Sequence, residues 1–340
     1  MAVLISIGIG VGGATIPTPY LLYSPGSARA VESRIEISGP ESFDADGKIL
    51  FLTVSESEAR PFTLVRAWLD DTIDVLRQDE VYPKGGRRED RVINQQRMDE
   101  SKFLATSLAL RAVGYPVVEV GTGAFVEEVE PGSAADGTIQ QGEVIVEIDG
   151  QEVTTRGQAA ELLRAHTPGS AVTMSLRSPE GTRRDGVSVI LGAREDDPSQ
   201  GLLGVVLTTA ERNLELPFPI EIESGRVTGP SAGLAFTLGV IDRLTPGALT
   251  GGRRIAVTGS IDETGKVLPI GGLPQKSVAA MEAGAKVLLY PADSTDEDVA
   301  RTRSIVGSRL QLVPVGSLDD ALHYLVPDGL PKAPGATAEN

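Results

Sequence analysis

Between residues 117 and 178 the texture of this chain changes, and the change rules out one uniform architecture. Short β-rich runs, AFVEEV, EVIVEIDG and AVTMSLRS, alternate there with Gly/Pro turns around one helix-like stretch at 156–165. The flanking sequence is different. KILFLTV at 48–54 is strand-like, while residues 62–76 place Leu64, Val65, Trp68, Leu69, Ile73 and Leu76 on one helical stripe. A chain of 340 residues accommodates two folded domains, which usually run to about 100–200 residues each. With 41% apolar residues it can bury a substantial core.

Charge argues against nucleic acid. The chain has 31 Lys+Arg against 47 Asp+Glu, a net charge of −16, and Arg87-Arg88 and Arg183-Arg184 are isolated basic pairs. A polyanion would be repelled, because binding it needs many phosphate-neutralising cations. The absence of cysteine removes disulfides, thiolate zinc sites and cysteine nucleophiles. The only histidines, His166 and His323, lie in helix-like stretches and fit surface positions better than metal ligation. No cofactor or metal is expected, and any hydrolytic chemistry must work with little or no histidine chemistry.

Residues 2–16 carry no charge and precede Pro17, Thr18 and Pro19. A spanning helix needs about 20 apolar residues, so the run is short unless PTPYLLY contributes its interfacial end. It fits the outer part of a signal anchor whose cytoplasmic start precedes this sequence, or else a buried Gly-rich strand or helix. Further on, RIEIS at 34–38 alternates like a strand and YPKGGRREDR at 82–91 is polar like a loop. Residues 98–113 are helical and stop at Gly114, which suits a helix C-terminus. The final PKAPGATAEN reads as a disordered tail.

The β-rich segment resembles a PDZ domain. The resemblance rests on Gly123 to Val129, then Pro131-Gly132-Ser133-Ala134-Ala135, then Gln141-Gly142-Glu143-Val144-Ile145, then the Asp149-Gly150 turn. Glu143 stands where that family usually has Asp. The resemblance implies a groove that takes an extended peptide as an added strand. Gly114, Tyr115 and Val117 are the candidate carboxylate-binding loop, although Pro116 between them has no N–H to offer. The helix opened by Thr154-Thr155 would form the other wall. A rigid spacer is the alternative use.

Beyond Gly201 the chain alternates strand and helix, and two segments there carry chemistry. In Val227-Thr228-Gly229-Pro230-Ser231-Ala232-Gly233 a serine framed by glycines opens a helix. Taken alone, Ser231 fits either a helix cap or a nucleophile next to a positive helix end that can stabilise an oxyanion. The second segment runs from Thr258-Gly259 to Gly265-Lys266-Val267-Leu268-Pro269-Ile270-Gly271-Gly272-Leu273-Pro274-Gln275-Lys276. Together the two segments closely resemble the Lon peptidase family, which carries GPSAG, a TGE-like strand end and a G-x-VLPIGGL-x-x-K run. Ser260 replaces the Glu of many Lon proteins.

The resemblance implies a serine endopeptidase with a Ser–Lys dyad: Ser231 as nucleophile, Lys276 as base and Thr258 orienting the lysine. Gly229 and Gly233 would shape the nucleophile loop, and Gly271 and Gly272 the approach to Lys276. A free lysine has a pKa near 10.4, so burial must depress it for the amine to act as base. Thr264-Gly265-Lys266-Val267 is not a phosphate loop, since G-x-x-x-x-G-K-S/T is not satisfied. No AAA+ motor is expected, and ATP should not be required.

The expected fold class is therefore α/β (α+β): a Lon-type peptidase domain preceded by a β-rich PDZ domain and an N-terminal apolar anchor. The expected boundaries are 1–22 for the anchor, 23–114 for an N-terminal region that packs on the peptidase domain or stands apart, 115–193 for the PDZ domain, 200–327 for the peptidase domain and 328–340 for the tail. This order resembles the PDZ-containing Lon-like proteins of bacteria. The resemblance implies a single-pass cell-membrane protein, mostly extracytoplasmic, acting on unfolded or flexible proteins. It also implies a peptide ligand for the PDZ domain and a homo-oligomer, a hexameric ring in related domains. Two other readings are a non-catalytic PDZ scaffold and a subunit served by a partner ATPase.

Overall fold

The strand expected from KILFLTV sits inside a six-stranded sheet that the chain builds from both of its ends. The computed structural model describes residues 18–334, leaving out 40, 45, 83–85, 195, 196, 198, 248 and 332 and the side chain of residue 89. The first part of the chain forms β1 (Tyr20–Ala30), β2 (Ile35–Ile37), β3 (Lys48–Glu58), α1 (Pro61–Trp68), β4 (Asp74–Arg77), α2 (Gln78–Val81) and α3 (Arg87–Ala112). The middle is mostly strand: β5 (Val118–Val120), β6 (Ala124–Val129), β7 (Val144–Ile148), β8 (Gln151–Glu152), α4 (Arg156–Arg164), β9 (Ala171–Arg177), β10 (Arg183–Ile190), β11 (Gly192–Ala193), β12 (Gly201–Leu202), β13 (Val205–Thr209) and β14 (Asn213–Glu215). The last part returns to mixed structure: β15 (Ile220–Ile222), α5 (Gly233–Leu244), β16 (Arg254–Val257), β17 (Ser260–Ile261), β18 (Val267–Leu268), α6 (Leu273–Glu282), β19 (Val287–Pro291), α7 (Asp296–Val306), β20 (Gln311–Val315) and α8 (Leu318–Leu325).

These elements form two compact units, Met1–Pro116 with Leu216–Asn340, and Val117–Glu215 inserted between them. In the first unit the strand order is β20-β19-β16-β3-β1-β4, with β16 parallel to β3 and β19 and with β1 antiparallel to β3 and β4. Successive strand residues point to opposite faces, so β3 serves two cores. Leu50 and Leu52 pack with Leu273 and Ala280 of α6 and Val306 of α7. Phe51 faces the other way and meets Phe236 of α5 at 5.6 Å between ring centroids. Every residue of α5 except Arg243 is buried, as its all-round apolar sequence requires.

The N-terminal region therefore belongs to the same sheet as the segment carrying Ser231 and Lys276. Leu21 and Leu22 are buried in β1 and paired with β3 and β4. The expected anchor boundary at 22 is corrected accordingly: residues 20–22 are sheet. Residues 2–16 lie outside the described residues, and no described helix is long and apolar enough to cross a membrane. The expected helix at 62–76 is also shorter. It ends at Trp68, Asp70 accepts the Thr72 N–H and hydroxyl in a turn, and residues 74–77 pair with β1. In the 82–91 stretch, α3 already begins at Arg87.

The inserted unit is an antiparallel sheet in the order β10-β9-β7-β6-β13, with β8 added to β7. Its core contains Ile145, Ile148, Met174, Leu176 and Leu163. Asp149 and Gly150 both have positive φ, 47° and 79°, and form the tight turn between β7 and β8. Glu143 is buried and takes two hydrogen bonds from Arg184 at 2.9 Å. The unit runs to Glu215 rather than to 193, because β13 pairs with β6 and β14 pairs with β5.

One buried carboxylate lies outside the motifs. Asp242 accepts the Leu249 N–H at 2.9 Å, and burial pushes its pKa from 3.8 up to about 6. A raised carboxylate pKa makes stability fall as pH rises from about 3.8 to 6, with the loss complete above that window. Asp242→Asn keeps an acceptor and removes the charge. It is expected to be more stable than wild type at pH 7.5 by ~1–3 kcal/mol, and to lose that advantage below pH 4, in urea unfolding at the two pH values.

Candidate active site

The loop that carries Ser231 is fixed through its backbone, which leaves the Ser231 side chain uncommitted. Gly229, at φ 87°, donates its N–H to the Asn94 carbonyl at 2.8 Å. The Pro230 carbonyl accepts from the Gly233 N–H at 3.0 Å and the Ser101 hydroxyl at 3.2 Å. The Ser231 carbonyl accepts from the Gly259 N–H at 3.0 Å and the Thr258 hydroxyl at 3.4 Å. Leu234 then donates to the Gly259 carbonyl at 3.1 Å, tying the start of α5 to the end of β16.

This arrangement separates the two roles that Ser231 could have played. The N-cap of α5 is Ala232, and no side chain caps that helix. Ser231 is half-buried, and its hydroxyl makes no hydrogen bond to a described residue. The N–H groups of Ser231 and Ala232 are likewise without a described partner at the helix start. A hydroxyl beside two open donors at a positive helix end is the geometry an acyl-transfer nucleophile needs.

Lys276 is placed by the second motif. Gly272 adopts the left-handed conformation, φ 71° and ψ 35°, as N-cap of α6, and Pro274 occupies the first turn. A side chain at 272 would press on Val54 of β3 at 3.2 Å, so the position suits glycine twice over. Gly271 is exposed, with open space around it. The Lys276 N–H closes the first turn on the Gly272 carbonyl at 2.9 Å. Its side chain is 2% exposed and makes no ion pair with a described residue. Burial alone lowers its pKa from 10.5 to about 7.

Ser231 and Lys276 flank one edge of the sheet. Thr258 and Gly259, which hold Ser231, directly follow β16. Phe51 of β3 pairs with Val257 of β16 in parallel register, so Val54, against Gly272, lies beyond the same carboxyl edge. Open α/β sheets bind ligands at that edge. No hydrogen bond joins the Ser231 hydroxyl to Lys276 among the described residues; catalytic contacts of this kind are often long until substrate is bound. Thr258, expected to orient Lys276, instead gives its hydroxyl to the Ser231 carbonyl.

Asn94 and Ser101 of α3 are additions that sequence reasoning missed. Asn94 acts through its main-chain carbonyl, its side chain bonding Asp90, whereas Ser101, between buried Met98 and Ala105, puts a polar hydroxyl on the core-facing stripe of the helix, and that mismatch was the available signal. The Thr264–Lys266 segment is the β17–β18 turn. There Asp262 accepts from the Thr264 N–H, the Thr264 hydroxyl and the Lys266 N–H, and Lys266 pairs with Asp293 at 3.4 Å. Its polar groups are committed internally.

The expected PDZ carboxylate loop is corrected. The Gly114 N–H bonds the Arg111 carbonyl and the Tyr115 N–H the Leu110 carbonyl, closing α3 and leaving neither N–H for an anion. Tyr115 is buried in the first unit, edge-on to Phe218 at 4.9 Å, and only Val117 falls within the inserted unit. Within that unit β13 is an edge strand with only β6 beside it. The Arg156 N–H at the start of α4 bonds the Thr209 hydroxyl at 3.2 Å, so α4 and β13 stand side by side.

Keeping a lysine buried has a measurable consequence. Between about pH 7 and 10.5 the unfolded chain binds a proton at Lys276 that the folded chain does not, so stability rises with pH across that window. Lys276→Met is expected to be more stable than wild type at pH 7, on the order of a few kcal/mol, with the difference closing toward pH 10.5. Denaturant unfolding at pH 7, 8.5 and 10 checks this.

A sequence model of the Lon protease (S16) C-terminal proteolytic domain matches residues 220–328, and one of the PDZ domain matches residues 125–178. The chain is 36% identical over 118 residues to the Lon protease of Elusimicrobium minutum, covering 34% of this chain and 14% of that protein. It is 41% identical over 99 residues to the Lon protease of Azospirillum brasilense, covering 29% of this chain and 12% of that protein. The chain thus spans a small part of the length of these curated relatives. A solved PDZ domain of the SdrC-like protein from Listeria innocua is 21% identical, covering 25% of this chain and 92% of that one, with a TM-score of 0.23. With Ser231, Thr258 and Lys276 inside the first match and most of β6 through α4 inside the second, the chain carries a segment similar to the Lon proteolytic domain and one similar to a PDZ domain, the combination found in PDZ-containing Lon-like proteases.

Proposed function

We propose that the chain is an ATP-independent serine endopeptidase using a Ser231–Lys276 dyad on unfolded or flexible polypeptides. The observation that carries this reading is the pairing of a buried lysine, with its pKa lowered to about 7, and an uncommitted serine hydroxyl at the same sheet edge. Neutral Lys276 takes the proton from the Ser231 hydroxyl as its oxygen attacks the scissile carbonyl. The Ser231 and Ala232 N–H groups receive the oxyanion. The lysine ammonium then protonates the departing amine, and water, activated by the same amine, releases the acyl group. Thr258 acts through the Ser231 carbonyl to hold the nucleophile toward the base. Asn94 and Ser101 fix the other side of the loop.

The inserted unit supplies substrate recognition in this reading. A peptide would add as a strand along β13 beside α4, with main-chain hydrogen bonds giving affinity. Residues 2–16 would tether the chain to a membrane with its bulk extracytoplasmic, and a ring of copies would enclose the sites. The phosphate-loop-like Thr264–Lys266 turn bonds its polar groups internally and offers no phosphate site.

Cleavage of casein by the full chain in detergent, with and without ATP, tests the chemistry. Wild type is expected to cleave equally well in both conditions, while Ser231→Ala and Lys276→Ala lose about 10³-fold or more and keep their fold. Turnover by Lys276→Ala close to wild type would remove the dyad. For wild type, kcat/KM should rise with pH to a plateau with a midpoint near 7, because only the neutral amine accepts the serine proton. Ser101→Ala is expected to lower kcat by about 10-fold with KM little changed, since it loosens the nucleophile loop and leaves substrate contacts in place.

A further inference from the structure

Helix α1 is amphipathic in the unusual sense that its larger apolar arc faces outward. Leu64 and Ala67 pack inward with Leu22, Ala59, Tyr20 and Ile73. On the other side Phe62 is 51% exposed, Val65 58%, Trp68 84% and Leu69 74%. At 100° per residue these four form one continuous arc from Trp68 through Val65 and Leu69 to Phe62, with Arg66 on its border. Singly exposed apolar residues are ordinary, but four large ones within about two helical turns mark a surface that meets something.

Two observations identify what it meets. The first is charge: from Arg60 to Leu69 the only charged residues are Arg60 and Arg66, in a chain whose net charge is −16. Of the acidic pair that follows, Asp70 has its carboxylate turned into its own turn on Thr72. Basic residues bordering a Trp/Phe/Leu face are the composition of a helix that lies in a lipid interface. The second is position. The uncharged residues 2–16 join the described unit at its start, where the Thr18 hydroxyl donates to the Ala59 carbonyl at 2.7 Å, directly before Arg60 at the head of α1. A tether entering a bilayer from there brings α1 to the same surface.

We propose that α1 lies on the lipid bilayer, inserting Phe62, Val65, Trp68 and Leu69 among the acyl-chain ends while Arg66, on the border of the arc, faces the headgroups. The proposal rests on the membrane-tethered reading above. It adds a second contact that fixes how the unit sits. Asp74, in the strand that follows α1, accepts from Gln275 Nε2 at 2.8 Å and pairs with Arg301. Gln275 immediately precedes Lys276, so the docked surface is coupled through one strand to the lysine helix.

Trp68 is the only tryptophan in the chain, which makes it an unambiguous reporter. The full chain is mixed with vesicles of phosphatidylcholine and phosphatidylglycerol, some carrying bromines high on the acyl chains, and flotation is measured beside Trp emission. The expected result is flotation with a blue shift, quenching by the bromolipid and loss of acrylamide quenching. Val65→Asp with Leu69→Asp should abolish the shift and leave casein cleavage in detergent unchanged. If the chain floats while Trp68 stays accessible to acrylamide, the docking of α1 is wrong and the tether stands. Shielding of Trp68 without lipid that disappears on dilution would assign the face to a second copy and overturn the proposal. A chain that does not float removes both the tether and the docking.

Discussion

Lys276 is almost fully buried without an ion-pair partner among the described residues, and the rest of the site depends on that condition. Water stabilises an ammonium far better than a packed helix interface does, so burial moves its pKa from 10.5 to about 7. A carboxylate nearby would restore the charge and remove the base. The first turn of α6 avoids this by construction: Gly272, Leu273, Pro274 and Gln275 precede the lysine, and none can carry a charge. The motif is thus a device for desolvating one amine at a helix start.

The opposite half of the site depends on backbone rather than on burial. The loop 229–231 is held from one side by Asn94 and Ser101 of α3 and from the other by Thr258 and Gly259 after β16. The matched Lon segment begins at residue 220, yet α3 and the strands β1, β3 and β4 belong to the same compact unit. The peptidase fold is therefore discontinuous in sequence, with the β-rich unit inserted between its two parts. That arrangement explains why the chain needs its first hundred residues to hold a serine that comes much later.

Much of this was legible before any coordinates. The all-round apolar α5, the KILFLTV strand and the Asp149-Gly150 turn follow from period and turn chemistry, and the two chemical motifs fall inside the segment that the Lon proteolytic-domain model matches. Less legible were contacts that depend on distant pairing. Residues 74–77 continue a helical stripe in sequence, but β1 offered them a strand partner. Residues 201–215 look like the start of the peptidase segment until β6 and β5 pair with them. Gly114 was legible as the stop of α3, but local sequence gives no sign that the Tyr115 N–H also closes on that helix. Ser101 was hidden because a polar residue on a helix is ordinary until the stripe it interrupts is known to be buried, and Asn94 because its contribution is a main-chain carbonyl that no side chain announces.

The central claim is that Ser231 is activated by a neutral lysine. The most direct measurement is the rate at which a phosphonofluoridate labels the folded chain across pH 5.5 to 9, with the adduct located by mass spectrometry. The account predicts one adduct, on Ser231, forming at a rate that climbs through a midpoint near pH 7 in wild type and is nearly lost in Lys276→Ala. Labelling of Ser231 at a rate that ignores both pH and the lysine, or labelling of a different serine, would contradict it.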